Sequence, residues 1–423
     1  MRAEWPKRAV RDFLVREHGQ FVFEPRHEVT LPDIAAADLY IHIPFCKSLC
    51  PYCPYNRVLY DAALVAPYVQ AMHDEIEIYS RLLGDIEIGS IYIGGGTPTT
   101  LVDELESIIE HARQRFGQIG TVAVETTPDD LDENTLTTLK SLGVSLLSIG
   151  VQSFDDRYLK LIGRRYRSSI LPEALANAAA SGFDTVNLDL MFAFPGQSTD
   201  EALADLDEAL ASGADQVTLY PLFTFPYSAV GKLLHAPHVR FPGLKTRRRM
   251  YRALHDTARA RALTRISVWG FKKENVPRFS SVTRGAYIGI GAGAGTCLPG
   301  LFYFNTFSVP EYIRCSSRHE LPVALQMNMT PSMEHFYWLY WRLYETRVPK
   351  DEFECFFAHD ARVRWLLQLA LQLHLLQDQE HDYVLSERGS FWIHLLQNAY
   401  VLNYIDAVWT RCMRDAWPGR IEL

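Results

Sequence analysis

Three of the seven cysteines fall within eight residues. Cys46, Cys50 and Cys53 have the spacing C-x3-C-x2-C. Three thiolates on one tight loop can hold three irons of a [4Fe–4S] cube and leave the fourth iron without a protein ligand. An open position on a metal centre is where a substrate binds, as the contrast between closed and open zinc sites shows. A structural zinc would want a fourth Cys or His nearby. His42 is at hand, but it lies four residues before Cys46 and would have to turn back. A zinc site and a buried structural role therefore stand beside the cube as alternatives, and the cube is preferred.

The loop follows directly on the first of six β-rich segments. Leu39–Pro44, Ser90–Ile93, Thr121–Thr126, Ser145–Val151, Thr185–Phe192 and Gln216–Leu222 read as strands, nearly continuous in apolar character. Between them the pattern predicts helices over Ala62–Leu83, Leu101–Phe116, Glu133–Leu142, Ile170–Ser181 and Asp200–Ser212. Asp103 and Asp200 sit near helix starts, and Gly143 and Gly213 at helix ends. Such alternation predicts a parallel sheet covered by helices. Six units fall short of the eight of a closed barrel. The expected fold class is therefore α/β, a partial (βα)6 TIM-type barrel with its chemistry at the C-terminal strand ends. A flavodoxin-like or Rossmann sheet is the alternative, weakened because no G-x-G-x-x-G follows the first strand. The expected organisation is an N-terminal extension over 1–37, the barrel domain with its extension over 38–315, and a mostly helical C-terminal domain over 316–423.

The 423 residues carry 42 basic against 50 acidic side chains, a net charge of −8. That is too acidic for a general binder of phosphate backbones, so no nucleic-acid partner is expected. A content of 48% hydrophobic and 22% charged residues argues against a disordered or fibrous chain. No apolar run approaches the roughly 20 residues of a membrane span. The first twenty residues are charged throughout and lack a signal-peptide core. A cytoplasmic location is expected, where clustered cysteines serve metal or redox chemistry and not disulfides.

The cysteine loop, placed directly after a first strand, resembles that of the radical S-adenosylmethionine (SAM) superfamily. Ile91–Thr99 (IYIGGGTPT) is similar to the superfamily's glycine-rich segment after the second strand, where a backbone without Cβ lets SAM approach. LYIHIPFC, GGGTPTTL, ETTPDDL, LLSIGVQSFDDRYLKLIGR, VNLDLMFAFPGQ and YIGIGAGAG resemble the HemN-type branch. That branch contains oxygen-independent coproporphyrinogen oxidases, haem chaperones of the HemW type, and class C methyltransferases and cyclopropanases. The likeness runs from about residue 38 to 315. It continues more weakly through FYWLYWRLYETRVPKDEFECFF and LSERGSFWIHLL in the tail.

The resemblance implies a [4Fe–4S] cluster on Cys46, Cys50 and Cys53 and as many as two SAM molecules. Tyr40 and Tyr52 match aromatics beside the cofactor. Gly95, Gly96 and Thr97 match backbone contacts to both SAM molecules. Glu125 matches an acid that binds the first SAM, and Gln152, Arg164 and Asp189 match contacts to the second. It implies a 5′-deoxyadenosyl radical, an electron donor such as flavodoxin or ferredoxin, and a small-molecule substrate that is aromatic or tetrapyrrole-like. Coproporphyrinogen oxidases carry a further cysteine two residues after the third. Here that position is Tyr55. The preferred expectation is therefore methylation or cyclopropanation of an sp2 carbon. Oxidative decarboxylation and haem carriage without turnover are the alternatives, the latter with His374, His381 and His394 as candidate axial ligands. Cys297, after the GAGAG turn, either faces the site or is buried packing. Cys315, Cys355 and Cys412 are expected to be buried packing. Phe336–Trp341 is expected to be helical core, with a flat-ligand pocket as the alternative.

Overall fold

The computed structural model describes residues 21–25, 29–225, 228, 239–280 and 285–423; most of the N-terminal extension lies outside the described residues. The chain opens with β1 (Val22–Pro25), β2 (Ala36–Ile43) and two short strands around the cysteine loop, β3 (Phe45–Cys46) and β4 (Val58–Leu59). Five strand–helix steps follow. They are α1 (Ala62–Leu83) to β5 (Glu87–Gly95), α2 (Val102–Phe116) to β6 (Thr121–Thr126), and α3 (Glu133–Ser141) to β7 (Val144–Gln152). Next come α4 (Asp156–Leu161) and α5 (Leu171–Ala180) before β8 (Thr185–Phe192), then α6 (Thr199–Ala211) before β9 (Gln216–Pro221). Asp61, Asp132 and Ser198 accept backbone N–H bonds as helix caps. Ser198 forms a reciprocal capping box with Glu201.

The six strands lie in the order β2-β5-β6-β7-β8-β9, all parallel. They form an open half-barrel. Beyond β9 the helix α7 (Leu244–Ala260) leads to an antiparallel edge, β10 (Thr264–Arg265) and β11 (Gly270–Lys272). On the far side β12 (Tyr287–Ile290) runs parallel to β2. It is followed by antiparallel β13 (Gly295–Leu298), β14 (Leu301–Asn305) and, after α8 (Val309–Ser316), β15 (Val323–Asn328). β1 then pairs with β15 on one side and with the short C-terminal strand Ile421–Glu422 on the other, so the sheet runs unclosed from β10 through the half-barrel to that strand. The division at residue 316 falls inside this sheet, because β15 belongs to it. The C-terminal unit that follows holds α9 (Pro331–Tyr344), α10 (Lys350–Phe357), α11 (Ala361–Gln372) and α12 (Glu387–Cys412), with a small three-stranded sheet.

The barrel strands are not apolar on both faces. They alternate. Ile91, Ile93, Val122, Val124, Leu147, Ile149, Leu188 and Leu190 point outward into a core shared with Ile76, Ile108, Leu139, Leu175 and Leu206 of the helices. The inner face instead carries Tyr40, Tyr92, Glu125, Ser148, Asn187, Asp189, Thr218 and Tyr220. The sequence looks continuously apolar because tyrosine and small residues occupy many inward positions. Burial of the outer residues, at about 25 cal/mol per Å² of apolar surface, holds the shell and leaves the concave side free to be polar.

Gly289 on β12 shows how tightly the antiparallel half is joined on. A Cβ there would stand 2.2 Å from the Gly295 carbonyl oxygen, whereas one on Gly285 would meet nothing within 4 Å. Gly289→Ala is expected to cost about 3 kcal/mol by overpacking. Gly285→Ala should stay within about 0.5 kcal/mol of the parent. Thermal unfolding of the two variants tests this, and equal melting temperatures would refute the account of the junction.

Candidate functional site

Cys46 ends the short run after β2, and Cys50 and Cys53 lie on the turn that returns the chain to β4. Cys46 and Cys50 are buried and Cys53 is half-buried. Burial pushes the Cys46 thiol up to about 11 and raises that of Cys53. The Thr97 hydroxyl faces Cys46 Sγ at 3.6 Å. Among the described residues no three His, Cys, Asp or Glu side chains gather around a single-ion site. His42 cannot supply a fourth ligand to zinc as it stands. Its Nε2 donates to the Asn56 carbonyl at 2.8 Å, and its Nδ1 accepts from the Tyr40 hydroxyl at 2.7 Å. Burial lowers its pKa to about 4, so it is neutral. Three thiols with no fourth protein ligand suit a cube with one vacant corner and leave a single zinc short of ligands.

The loop is latched from behind. Asn56 is buried, and its amide donates to the carbonyls of Ala292 and Phe307, both at 2.9 Å. The Tyr68 hydroxyl of α1 donates to the His42 carbonyl and accepts from Ala292 N–H. Glu75, fully buried and pushed by burial up to about 7, accepts from Gly291 N–H, Asn305 and Tyr312. The GAGAG segment is thus a buttress of the cysteine loop and not a wall of the cavity. Cys297 is buried beside Tyr337 and does not line the cavity. Cys315 and Cys412 are buried, whereas Cys355 is exposed, which corrects the expectation of a packed thiol there.

The loop covers one cavity of about 360 Å³ at the C-terminal ends of the strands. Cys46, Cys50, Cys53, Tyr52, Gly95, Gly96, Thr97, Glu125, Gln152, Arg164 and Asp189 all line it. Tyr40 does not. It sits one layer deeper on β2, its ring 6.0 Å from that of Tyr92. The two glycines are required by the protein itself. A Cβ on Gly95 (φ 113°) would meet the His42 ring at 2.7 Å, and one on Gly96 would meet the Phe45 carbonyl oxygen at 2.7 Å. Their bare backbone therefore serves close strand packing as well as ligand approach.

Two polar groups face each other across the cavity. Glu125, on β6, accepts from the Tyr92 hydroxyl and from Gly95 N–H; burial pushes it up to about 7. Asp189, on β8, accepts from Asn187 at 2.9 Å and from Ser148 at 3.4 Å; burial pushes it up to about 6. Gln152 ends β7 with φ 68°, a left-handed conformation costly for a non-glycine residue and typical of strained functional positions. The Tyr220 hydroxyl donates to its Oε1 at 2.8 Å. A Cβ on the neighbouring Gly150 would strike Gln152 Nε2 and Arg164 Nη2. The Arg164 guanidinium lies 5.9 Å from the Tyr52 ring and 5.8 Å from that of Tyr166, and its Nε is buried without an acceptor. Among the described residues no carboxylate pairs with it. A half-buried cation beside aromatic faces, with no ion pair, is a ready anion site.

The opposite wall comes from outside the half-barrel. Phe223, Phe225, Trp269 and, on α9, Tyr340, Trp341 and Tyr344 line the same cavity. The run Phe336–Trp341 divides accordingly: Phe336, Trp338 and Leu339 pack into the C-terminal core, while Tyr340 and Trp341 face the cavity. Helical spacing made the core reading natural, yet six consecutive residues span more than a turn and a half of helix and cannot all face one side. His394 of α12 lines the cavity too. The Trp269 indole, which can only donate, gives its N–H to His394 Nε2 at 3.0 Å. That fixes the proton on Nδ1, and burial lowers His394 to about 4. Its Nε2 is therefore already engaged, while His374 and His381 are exposed on the C-terminal unit, away from the cavity lining. The sequence reading missed Tyr92, Asn56, Tyr220 and Trp269. Each looked like an ordinary strand or loop residue, and only its pairing across strands gives it a role.

Residues 40–209 match the radical SAM superfamily. The chain is 31% identical over 281 residues to the haem chaperone HemW of Bacillus subtilis, covering 65% of this chain and 74% of that one. It is 32% identical over 179 residues to the oxygen-independent coproporphyrinogen III oxidase of Pseudomonas aeruginosa, 41% of this chain and 39% of that one. In three dimensions it superposes on the coproporphyrinogen III oxidase HemN of Escherichia coli with a TM-score of 0.76 at 18% identity, over 93% of this chain and 98% of that one. The fold is therefore shared along nearly the whole chain.

Asn56→Ala would leave the Ala292 and Phe307 carbonyls buried and unpaired. The expected loss is about 2–3 kcal/mol, with the cysteine loop released from its buttress. In cluster-free protein the three thiols should then react faster with a thiol reagent than in the parent. Unchanged labelling rates together with unchanged stability would show that the latch does not hold the loop.

Proposed function

The chain belongs to the HemN-type branch of the radical SAM superfamily, and from that premise we propose that it acts on a tetrapyrrole held between the cysteine loop and the aromatic wall. The chain binds a [4Fe–4S] cluster on Cys46, Cys50 and Cys53 and uses SAM. When bound, these groups supply a carbon-centred radical. The single observation that carries the tetrapyrrole reading is the wall of Trp269, Tyr340, Trp341 and Tyr344 facing that loop across one cavity. Large planar side chains give a flat conjugated ligand contact area at little entropic cost. Haem handling of the HemW kind is the favoured form of this reading, supported by the likeness to HemW over most of both chains. Its iron ligand is not His394 in this arrangement, since Trp269 occupies Nε2.

In either form the residues of this chain do the positioning. Glu125 faces the positively charged end of SAM. Tyr52 and Thr97 pack and polarise the cluster side. The loop and the wall exclude water from the space between them, which protects a radical from side reactions. Exposed Arg165, beside the loop, suits an acidic electron carrier such as flavodoxin or ferredoxin, whereas Lys47 is already ion-paired with Asp130. A reducing cytoplasmic setting suits a chain of seven thiols.

A second reading is favoured by one specific feature. Arg164, Gln152 and Asp189 form a polar group apart from Glu125, with a guanidinium that makes no ion pair among the described residues and suits a second SAM carboxylate. On that reading the enzyme methylates or cyclopropanates an sp2 carbon of the ligand. Decarboxylation of the coproporphyrinogen type is disfavoured, because Tyr55, 54% exposed, stands at the position of the fourth cysteine.

Anaerobic titration of reconstituted protein with haem is expected to give a saturable Soret band. Trp341→Ala should weaken haem binding about tenfold, the loss of one well-packed aromatic contact, while leaving SAM binding unchanged. With dithionite and SAM, little deoxyadenosine should form in the absence of an acceptor. Equal amounts of deoxyadenosine and S-adenosylhomocysteine with a methylated product would move the assignment to the second reading. Failure to bind any porphyrin would sink the proposal.

A further inference from the structure

Glu125 is the acid that meets SAM in the reading above, and its carboxyl is not free to choose its direction. Tyr92 projects from β5 onto the inner face, and its hydroxyl donates to Glu125 Oε1 from the adjacent strand. The phenol ring is clamped: the Tyr40 ring lies 6.0 Å away and that of Phe279 5.6 Å away. Tyr92 is 7% exposed and packs with Ala123 and Leu146 in the bottom layer of the half-barrel. It does not line the cavity, so it reaches a ligand only through Glu125. Gly94 completes the arrangement. A Cβ at that position would stand 2.8 Å from Tyr92 Cε1 and 3.0 Å from Glu125 Oε2. Its φ is not in the left-handed region, so what requires glycine here is the Tyr92–Glu125 pair itself.

We propose that Tyr92 is a positioning residue for Glu125: by donating to one carboxylate oxygen it fixes the side chain, so that the other oxygen is presented to the cationic end of SAM. This rests on the assignment of Glu125 as a SAM-binding acid. The surroundings make such help necessary. Besides Tyr92, Glu125 is faced by Tyr40 from β2, Asp189 from β8 and Tyr55 from the cysteine loop, none of which is cationic. A buried carboxylate among these would take up a proton near neutral pH. A hydroxyl donor favours its charged form; removing that donor moves its titration upward.

The experiment is SAM binding to cluster-loaded, non-reduced protein between pH 5.5 and 8.5, for the parent, Tyr92→Phe, Gly94→Ala and Glu125→Gln. Cluster absorbance and melting temperature establish that each variant is folded and loaded. Tyr92→Phe is expected to bind SAM about tenfold more weakly at pH 7, the loss of one hydrogen bond to a charged group. Its pH midpoint should move upward, with affinity largely restored at pH 8.5. Gly94→Ala, which pushes the pair apart, should shift the midpoint in the same direction and serves if Tyr92→Phe does not load. Glu125→Gln should bind weakly at every pH. A Tyr92→Phe profile superimposable on the parent, with Glu125→Gln still defective, overturns the role of Tyr92 alone. Parent-like binding by Glu125→Gln overturns the assignment of Glu125 and this inference with it. A tyrosine that merely fills space would lower the melting temperature and leave the pH midpoint in place.

Discussion

Charge taken out of water must be compensated, and the inner face of the half-barrel is built around that requirement. A buried polar group without a partner costs about 1–3 kcal/mol, and an unpaired ion more. Asp189 is answered by Asn187 and Ser148, and Asn187 in turn accepts from Thr218, so a chain of neutral donors runs across three adjacent strands. Glu125 is answered by Tyr92 and a backbone N–H. Arg164 lies near two ring faces and makes no ion pair among the described residues. The compensation is deliberate in its incompleteness. Neutral partners hold each ionisable group in place without cancelling its charge, so binding capacity is retained for a charged, zwitterionic ligand such as SAM.

The same economy governs the cysteine loop. On the proposed cluster assignment, three thiols cannot be held in place by packing among themselves, because a cube would have to fit between them. They are held by what lies behind: Asn56 on the Ala292 and Phe307 carbonyls, Tyr68 on both His42 and Ala292, and Glu75 on Gly291. The antiparallel strands β12 to β15 therefore act as a rigid back plate. Gly293 has φ 81°, and a Cβ there would stand 2.8 Å from Asn56 Nδ2, so the plate and the loop meet backbone to side chain with no room to spare.

Much of the barrel was legible in the sequence. Thr121–Thr126 and Thr185–Phe192 are observed with the boundaries read from it, and the other four barrel strands differ by only a few residues at either end. Strand–helix alternation is a local signal, and local signals survive in a string of letters. The cysteine loop and the polar residues at strand ends were legible for the same reason, since motif and position coincide. What was hidden is what depends on pairing between distant segments. That β15 belongs to the main sheet follows from its register with β14 and β1, not from any residue in it. The helical run Phe336–Trp341 gave no sign of which of its faces would turn to the cavity. The glycines of Ile91–Thr99 suggested ligand approach, yet their nearest obstacles are His42, Phe45, Tyr92 and Glu125.

The cavity joins two parts with different physics. Its floor is made by the half-barrel, with charges, directed hydrogen bonds and a strained Gln152. Its outer wall is made largely by α9 and by Trp269, where flat aromatic surface sets shape without fixing charge. The C-terminal unit is tied to the barrel edge by Trp269 to His394 and by Arg265 to Ser390 and the Leu385 carbonyl, while Gln397 donates to the Tyr340 carbonyl within the wall itself. Directed bonds tolerate little change, whereas aromatic surface can be reshaped by one substitution at modest cost. The radical-generating floor is therefore constrained and the wall is adaptable. The fold itself is shared at 18% identity over 93% of this chain.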